Sequence, residues 1–426
     1  MSDQATSDLR GASQARFRAR AERIQHGKHL RDRVPRQSQA QWQPPASRRD
    51  PIAVLEASNQ DRLPELIPIR YGRMIRSPFT FFRGAAALMA YDLAGQPNIG
   101  IKVQACGDCH LLNFGLFATP ERNLVFDIND FDESHPAPWE WDLKRLVSSV
   151  VIAGRDNQLT DEQSQDAAIA CVRSYREHLR DYSRMSPLEV WYNHLDMERI
   201  IAMAPDAKAK TFRQQIAAKA QSRVIDHLFP KIVSSVAGRP RIVDQPPLLF
   251  HPAVDDIGSI GTRCLITLFF SEDNHPLILQ FKEARRSVLE PYTERSQYDN
   301  QGQRVVVGQR LTHSSSDIFL GWVRGRGGRD FYVRQLRDMK MSFPIEGFAA
   351  VELERYAEVC GWTLARAHAK SGDAATISGY LGKRDPFDQA MGQFALSYAD
   401  QTAKDHAALV AAVRTGRVQA LVEDDG

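Results

Sequence analysis

Long apolar runs are absent from this chain. No stretch approaches the roughly 20 residues that a membrane-spanning helix requires. The opening residues, MSDQATSDLR, lack the apolar h-region of a secretory signal. Cysteine is scarce: five in 426 residues, too few and too unevenly spaced for a disulfide framework. A reducing cytoplasm is therefore the expected setting. An excess of one charge is missing too, since 55 Lys+Arg against 52 Asp+Glu leave only +3. So small a surplus does not draw a whole chain onto nucleic acid. Neither a membrane nor a specific nucleic acid is an expected partner. What is present is the ordinary apolar and charged content of a globular chain, long enough for two or three domains or one large two-lobed unit.

Within it one stretch, residues 105–133, ACGDCHLLNFGLFATPERNLVFDINDFDE, sets Asp108, His110, Asn113, Asp127, Asp130, Asp132 and Glu133 among aliphatic and aromatic residues. Carboxylates in apolar company are costly unless they meet cations or hydrogen-bond donors. The stretch reads as a buried loop, strand and turn that hold a metal and phosphates, or else as an acidic turn beside a core strand. The spacing favours phosphoryl transfer. Asp108 would orient the attacking hydroxyl or take its proton, while Asn113 and a carboxylate of the 127–133 turn would hold Mg²⁺ across phosphates. The same residues contain a literal C-x-x-C-H, Cys106 to His110, which leaves haem attachment, dithiol or zinc chemistry as other readings.

GDCHLLNFG followed by NDFDE resembles the aminoglycoside-phosphotransferase and choline-kinase branch of the protein-kinase-like superfamily. Over about residues 27–405 the chain resembles the bacterial DUF2252 family, through PIRYGRM, FFRGAA, GDCHLLNFG, FDINDFDE, DLKRL, KEARRSVL, YVRQLRDMK and LARAHAKSGD. The first resemblance implies Asp108 as the catalytic-loop Asp and His110 as the loop His. Asn113 and Asp130 would be metal ligands, with Asp127 as the rival to Asp130. It implies ATP and Mg²⁺ as cofactors. In PWEWDLKRL, Asp142 matches an acid that braces the catalytic loop, although a plain N-cap is an equal reading of the pattern. The Cys106 position usually holds His in that branch.

The rest of the chain is read around this stretch. Residues 1–50 form a basic arm, either for anionic partners or a solvated, partly helical extension over the core. Residues 51–245 carry the catalytic loop and a helical lobe, with Asp50–Pro51, Ser77–Pro78 and TDEQ (160–163) as helix starts. Arg70, Arg73, Arg76 and Arg83 are candidate phosphate contacts or ordinary ion-pair partners. Residues 246–345 read as β-rich. There Gly258, Ser259 and Gly261 form a glycine turn, and Lys282 ends a strand. The pair resembles a glycine-rich loop and strand Lys that hold ATP phosphates, although the turn alone is an ordinary hairpin. The helix expected over that sheet, within 299–316, has no Glu to pair Lys282. Residues 346–426 form C-terminal helices.

In ordinary kinases the nucleotide-binding parts precede the Asp loop, and here they follow it. The expected fold is therefore α+β: a two-lobed protein-kinase-like fold, circularly permuted, with an α-rich larger lobe. The expected function is phosphotransfer from ATP to a small-molecule or metabolite hydroxyl. Non-catalytic nucleotide binding and nucleotidyl transfer at the same metal site are the alternatives.

Overall fold

The computed structural model describes residues 19–223, 225–236, 239–244, 263–273, 275–325, 327–336 and 339–422. The Gly258, Ser259 and Gly261 turn lies outside the described residues. Helix α1 (Arg20–Arg33) leads into α2 (Pro51–Ser58), α3 (Ile67–Met74), α4 (Pro78–Gly84) and α5 (Ala86–Ala94). Strands β1 (Lys102–Ala105), β2 (Phe114–Ala118), β3 (Leu124–Ile128) and β4 (His135–Pro138) come next, then the long helices α6 (Trp139–Asp156) and α7 (Asp161–Tyr182). Beyond these lie α8 (Pro187–Tyr192), β5 (Leu195–Asp196), α9 (Met197–Ala202), α10 (Ala207–Gln221), α11 (Ile225–Ile232) and the hairpin β6–β7 (Val233–Val236, Arg239–Ile242). The last part holds β8 (Cys264–Phe270), β9 (Pro276–Glu283), α12 (Gln301–Thr312), β10 (Gly321–Arg324), β11 (Asp330–Gln335) and β12 (Met341–Ser342). It closes with α13 (Ala350–Ser371), α14 (Ala374–Leu381) and α15 (Pro386–Arg414). The fold class is α+β, with small antiparallel sheets among many helices. No helix among the described residues is long and apolar enough to cross a membrane.

Three helices start where their caps dictate. Asp50 accepts from the Ile52 amide ahead of Pro51. Ser77 and Thr80 form a reciprocal capping box at α4, as Thr160 and Gln163 do at α7. The basic arm is neither free nor merely draped. Arg31 donates to the Tyr380 and Gly379 carbonyls, Arg36 to that of Leu381 and Arg33 to that of Ile99. Three of these carbonyls end α14, where the helix itself supplies no donors. Gly27 and Gly379 let the backbones of α1 and α14 touch, and a Cβ at either would collide with the other helix.

Two four-stranded sheets frame the centre. One has the order β10-β11-β9-β8, the other β12-β2-β3-β5. The periodicity of 139–154 predicts one apolar face, but α6 is buried on every side from Trp139 to Gly154. Its interior charges meet specific groups, although Glu140 Oε2 is buried without a hydrogen-bond partner. Glu140 accepts from the Ile99 amide, and the Lys144 ammonium lies 4.6 Å from the Phe394 ring centroid. Asp142 and Arg145 turn toward the loop after β1. Helix α13 ends against that strand, where the Gln104 amide donates to Ser371 Oγ at 3.2 Å.

Candidate active site

The loop between β1 and β2 is held from beneath by α6. Asp142 accepts from the amides of Cys106 (2.6 Å) and Gly107 (2.9 Å), and its Oδ2 lies 3.3 Å from His368 Nε2. The N-cap position of α6 belongs to Pro138, so Asp142 is a loop brace rather than a plain cap. Gly107 has a φ of +83°, and a Cβ there would strike the Glu133 backbone. Glycine is needed on both counts, and through this contact the loop meets the acidic turn after β3.

Asp108 follows directly, 29 % exposed at its side chain, with Arg145 Nε 2.7 Å from Oδ1. The other oxygen lies 3.9 Å from His110 Nε2. Asn113 ties the two loops together. Its Nδ2 donates to the Asp108 carbonyl (3.0 Å) and the Asp130 carbonyl (3.2 Å), so its amide oxygen is the atom that could take a cation.

The two carboxylates proposed as rival metal ligands have opposite surroundings. Asp127 is 0 % exposed. Its Oδ2 pairs with Arg366 at 2.5 Å and accepts from the Ser314 amide, and its Oδ1 accepts from the Ile128 amide. Burial opposes its charge, but Arg366 prevails and keeps the carboxyl below its usual range. Both oxygens of Asp127 are thus already engaged by protein donors. Asp130 has a side chain 46 % exposed, and Lys282 Nζ stands 3.6 Å from its Oδ2. Burial again opposes the charge, and Lys282, Arg334 and Lys340 outweigh it, holding this carboxyl far below the usual carboxylate range.

Lys282, at the end of β9, also pairs with Asp132, which accepts from the Tyr332 hydroxyl at 2.7 Å. Helix α12 carries no carboxylate to this lysine. It sends in Arg304, which donates to the carbonyls of Ser134, Asp132 and Arg285. Next to Asp130 a cavity of about 530 Å³ opens between the β9–β11 sheet and the β2–β3 hairpin, with Phe117, Phe131, His313, Arg334, Leu336 and Lys340 on its walls. His313 is stacked on Phe117 with ring centroids 4.1 Å apart. Such a space, apolar at its walls and cationic at one end, can take a planar group attached to phosphates.

The fold brings Asp108, His110, Asn113, Asp130 and Lys282, expected from the sequence as site residues, into one region. Sequence reasoning missed Arg145, Arg366 and Asp132 as partners. The signal available was a cation inside an otherwise apolar helical run, DLKRLVSSVV and LARAHA. The C-x-x-C-H pattern is a packed thiol pair. Cys109 hydrogen-bonds to Cys106 and favours its thiolate, but burial and Asp142 keep the Cys106 thiol above its usual range, and burial pushes Cys109 higher. Thiols so placed are inert. Among the described residues no three His, Cys, Asp or Glu side chains come together as a metal site.

Burial lowers both His110 and His313 to about 4, although Asp108 and Asp127 respectively pull the other way. Each is neutral in the folded chain and titrates near 6.5 when unfolded. Between these values the unfolded state binds more protons, so stability rises with pH there. Urea unfolding is expected to show a loss of about 2 kcal/mol per histidine from pH 7 to pH 5, and His313→Gln should remove one such share.

The described geometry can be set beside known proteins. Neither a curated protein nor a solved structure matches the chain. A family model, "Uncharacterized protein conserved in bacteria (DUF2252)", matches residues 62–257 and 253–412. With most of its length covered in this way, the chain belongs to the DUF2252 family.

Proposed function

We propose that this protein is an ATP- and Mg²⁺-dependent phosphotransferase acting on a small-molecule hydroxyl, built on a circularly permuted, two-lobed kinase-like fold. One observation carries the reading: Lys282 of the β9 sheet meets Asp130 and Asp132 of the turn that follows the Asp108 loop, although the two segments are far apart in the chain. In phosphoryl transfer a strand lysine holds the nucleotide phosphates and an acidic turn holds the metal beside them. Lys282 and the two carboxylates offset each other's charge. The contact of Ser371 with Gln104 supports the permutation. A chain joined at that point would run helix, strand, Asp loop and acidic turn, the order seen in ordinary kinases.

Asp130 and the Asn113 amide oxygen fit Mg²⁺, which needs only one or two protein ligands and completes its shell with water and phosphate oxygens. The ion would supply positive charge against the negative charge that develops on the phosphates. The cavity beside Asp130 would take the base, against β11. Asp108, with one oxygen held by Arg145, keeps the other to orient the acceptor hydroxyl and receive its proton.

Calorimetric titration of Mg²⁺-ATP tests the reading. Wild type should bind in the micromolar range, with Asp130→Ala and Lys282→Ala each weakening binding at least about tenfold, the loss of one charged contact. No binding by wild type, or equal binding by both variants, would sink it. A second reading, nucleotide binding without turnover, is favoured by the absence of any Asp or Glu on α12, the helix that would supply a carboxylate to Lys282. Product analysis separates the alternatives: ADP marks phosphotransfer, pyrophosphate nucleotidyl transfer, and neither marks a binding protein.

A further inference from the structure

Next to Asp108, on the side made by α3, α4 and the segment after β9, positive charge gathers against neutral partners. Arg70 donates to Asn59 Oδ1 (2.8 Å) and to the Gly84 carbonyl (2.6 Å). The Asn59 amide is itself fixed, its Nδ2 donating to the Tyr71 hydroxyl at 2.8 Å. Arg285 reaches across from the other segment and donates to the Gln60 carbonyl (2.9 Å). Arg83, exposed at the end of α4 and next to the Gly84 whose carbonyl Arg70 holds, feels the charges of Asp108 and Glu346. All these acceptors are amide or carbonyl oxygens, which orient a guanidinium without cancelling its charge. Arg62 stands in the same field: burial first, then Arg70 and Arg285, drive it down to about 9, against the pull of Glu133 and Asp132. Of the nearby carboxylates, Asp108 is already shared with Arg145, Glu133 accepts from the Val288 amide, and Glu346 acts on Arg83. Arg70 and Arg285, held by neutral acceptors and acting against each other's charge, with the exposed Arg83 next in the chain to Gly84, are a ready site for a dianion, which they can grip with paired N–H donors.

We propose that Arg70, Arg83 and Arg285 bind the phosphate of a small hydroxylated phosphomonoester, and that this phosphomonoester is the acceptor. The identification as acceptor rests on the phosphotransferase reading; the anion site does not. With the phosphate held there, a free hydroxyl of the same molecule lies at Asp108. Its oxygen forms a bond to the γ-phosphorus of ATP as the bond to the β–γ bridging oxygen breaks. ADP leaves with that electron pair, and the hydroxyl proton passes through Asp108 to solvent. The product is a bisphosphorylated compound.

The test uses the full chain and three probes, inorganic phosphate, glycerol 3-phosphate and glycerol, titrated calorimetrically without nucleotide, with Mg²⁺-ATP titrated separately. Wild type should bind the two phosphates and not glycerol. Arg83→Gln should weaken both phosphates tenfold or more while leaving Mg²⁺-ATP affinity within twofold, and Lys282→Ala should do the reverse. Arg83 is exposed, so its variant should melt as wild type does by circular dichroism; Arg83→Lys, which keeps the charge, should recover part of the affinity. Phosphate binding that is absent, or unchanged in Arg83→Gln, overturns the proposal. So does an Arg83→Gln variant that loses Mg²⁺-ATP equally, which would assign the cluster to the nucleotide. If phosphates bind as expected but wild type does not bind Mg²⁺-ATP, the anion site stands and its role as acceptor site falls with the phosphotransferase reading.

Discussion

Asp127→Ala is expected to lower folding stability by about 3–5 kcal/mol, the usual effect of removing one member of a buried ion pair. Asp130→Ala, three residues away, should change it by no more than about 1 kcal/mol, as an exposed carboxylate does. Urea unfolding of the two variants at neutral pH measures both. The difference lies in what each carboxylate leaves behind. Without Asp127, Arg366 is sealed in the core with the Thr312 carbonyl as its remaining acceptor, and its Nη1 already lacks a hydrogen-bond partner. Without Asp130, Lys282 keeps Asp132 as its partner. The pH dependence has a definite sign. The folded Asp127 carboxyl sits below its ordinary value near 4, so its contribution is complete above that value and is lost as pH falls through the folded one. Asp127→Leu combined with Arg366→Met should recover most of the loss, since a packed apolar pair can replace a buried ionic one. If Asp127→Ala were as stable as wild type but failed to bind Mg²⁺-ATP, the metal role would return to Asp127.

This pair also marks how far the sequence alone reaches. The helix starts at Asp50, Ser77 and Thr160 were legible because a cap and the amide it accepts from lie within three residues of each other. The loop of 105–133 was legible because charge among Leu and Phe needs a reason within a short window. The choice between Asp127 and Asp130 was not, because the deciding cations, Arg366 and Lys282, come from distant segments that only the fold brings in. The contacts of the basic arm were hidden for the same reason. Arg31, Arg33 and Arg36 bond to carbonyls of Gly379, Tyr380, Ile99 and Leu381, and carbonyl acceptors leave no mark in a sequence. Helix α6 reads as one-sided because periodicity records hydrophobicity. Its buried Glu140, Asp142, Lys144 and Arg145 are charges with assigned partners, which a hydropathy pattern counts as solvent-facing.

Asp142→Asn should separate the loop's geometry from its chemistry. The carboxylate receives two amide donors, Cys106 on Oδ2 and Gly107 on Oδ1, with His368 beside Oδ2. A carboxamide of the same shape keeps one acceptor and turns an N–H₂ toward the other donor, so a buried amide loses its partner. The expected cost is about 2–4 kcal/mol, a charged hydrogen bond replaced by an unsatisfied buried donor. Because Gly107 is wedged against Glu133, the strain cannot spread toward the acidic turn and instead displaces Asp108, the next residue. Lys282 and Asp130 are untouched. Mg²⁺-ATP affinity should therefore stay within about threefold, while ADP formation falls by about a hundredfold or more, the scale on which misplacing a catalytic group by an ångström acts. A fall in affinity equal to the fall in rate would mean that the brace holds the nucleotide site and not the acceptor's. Lost stability with an unchanged rate would leave Asp108 as no more than the structural partner of Arg145.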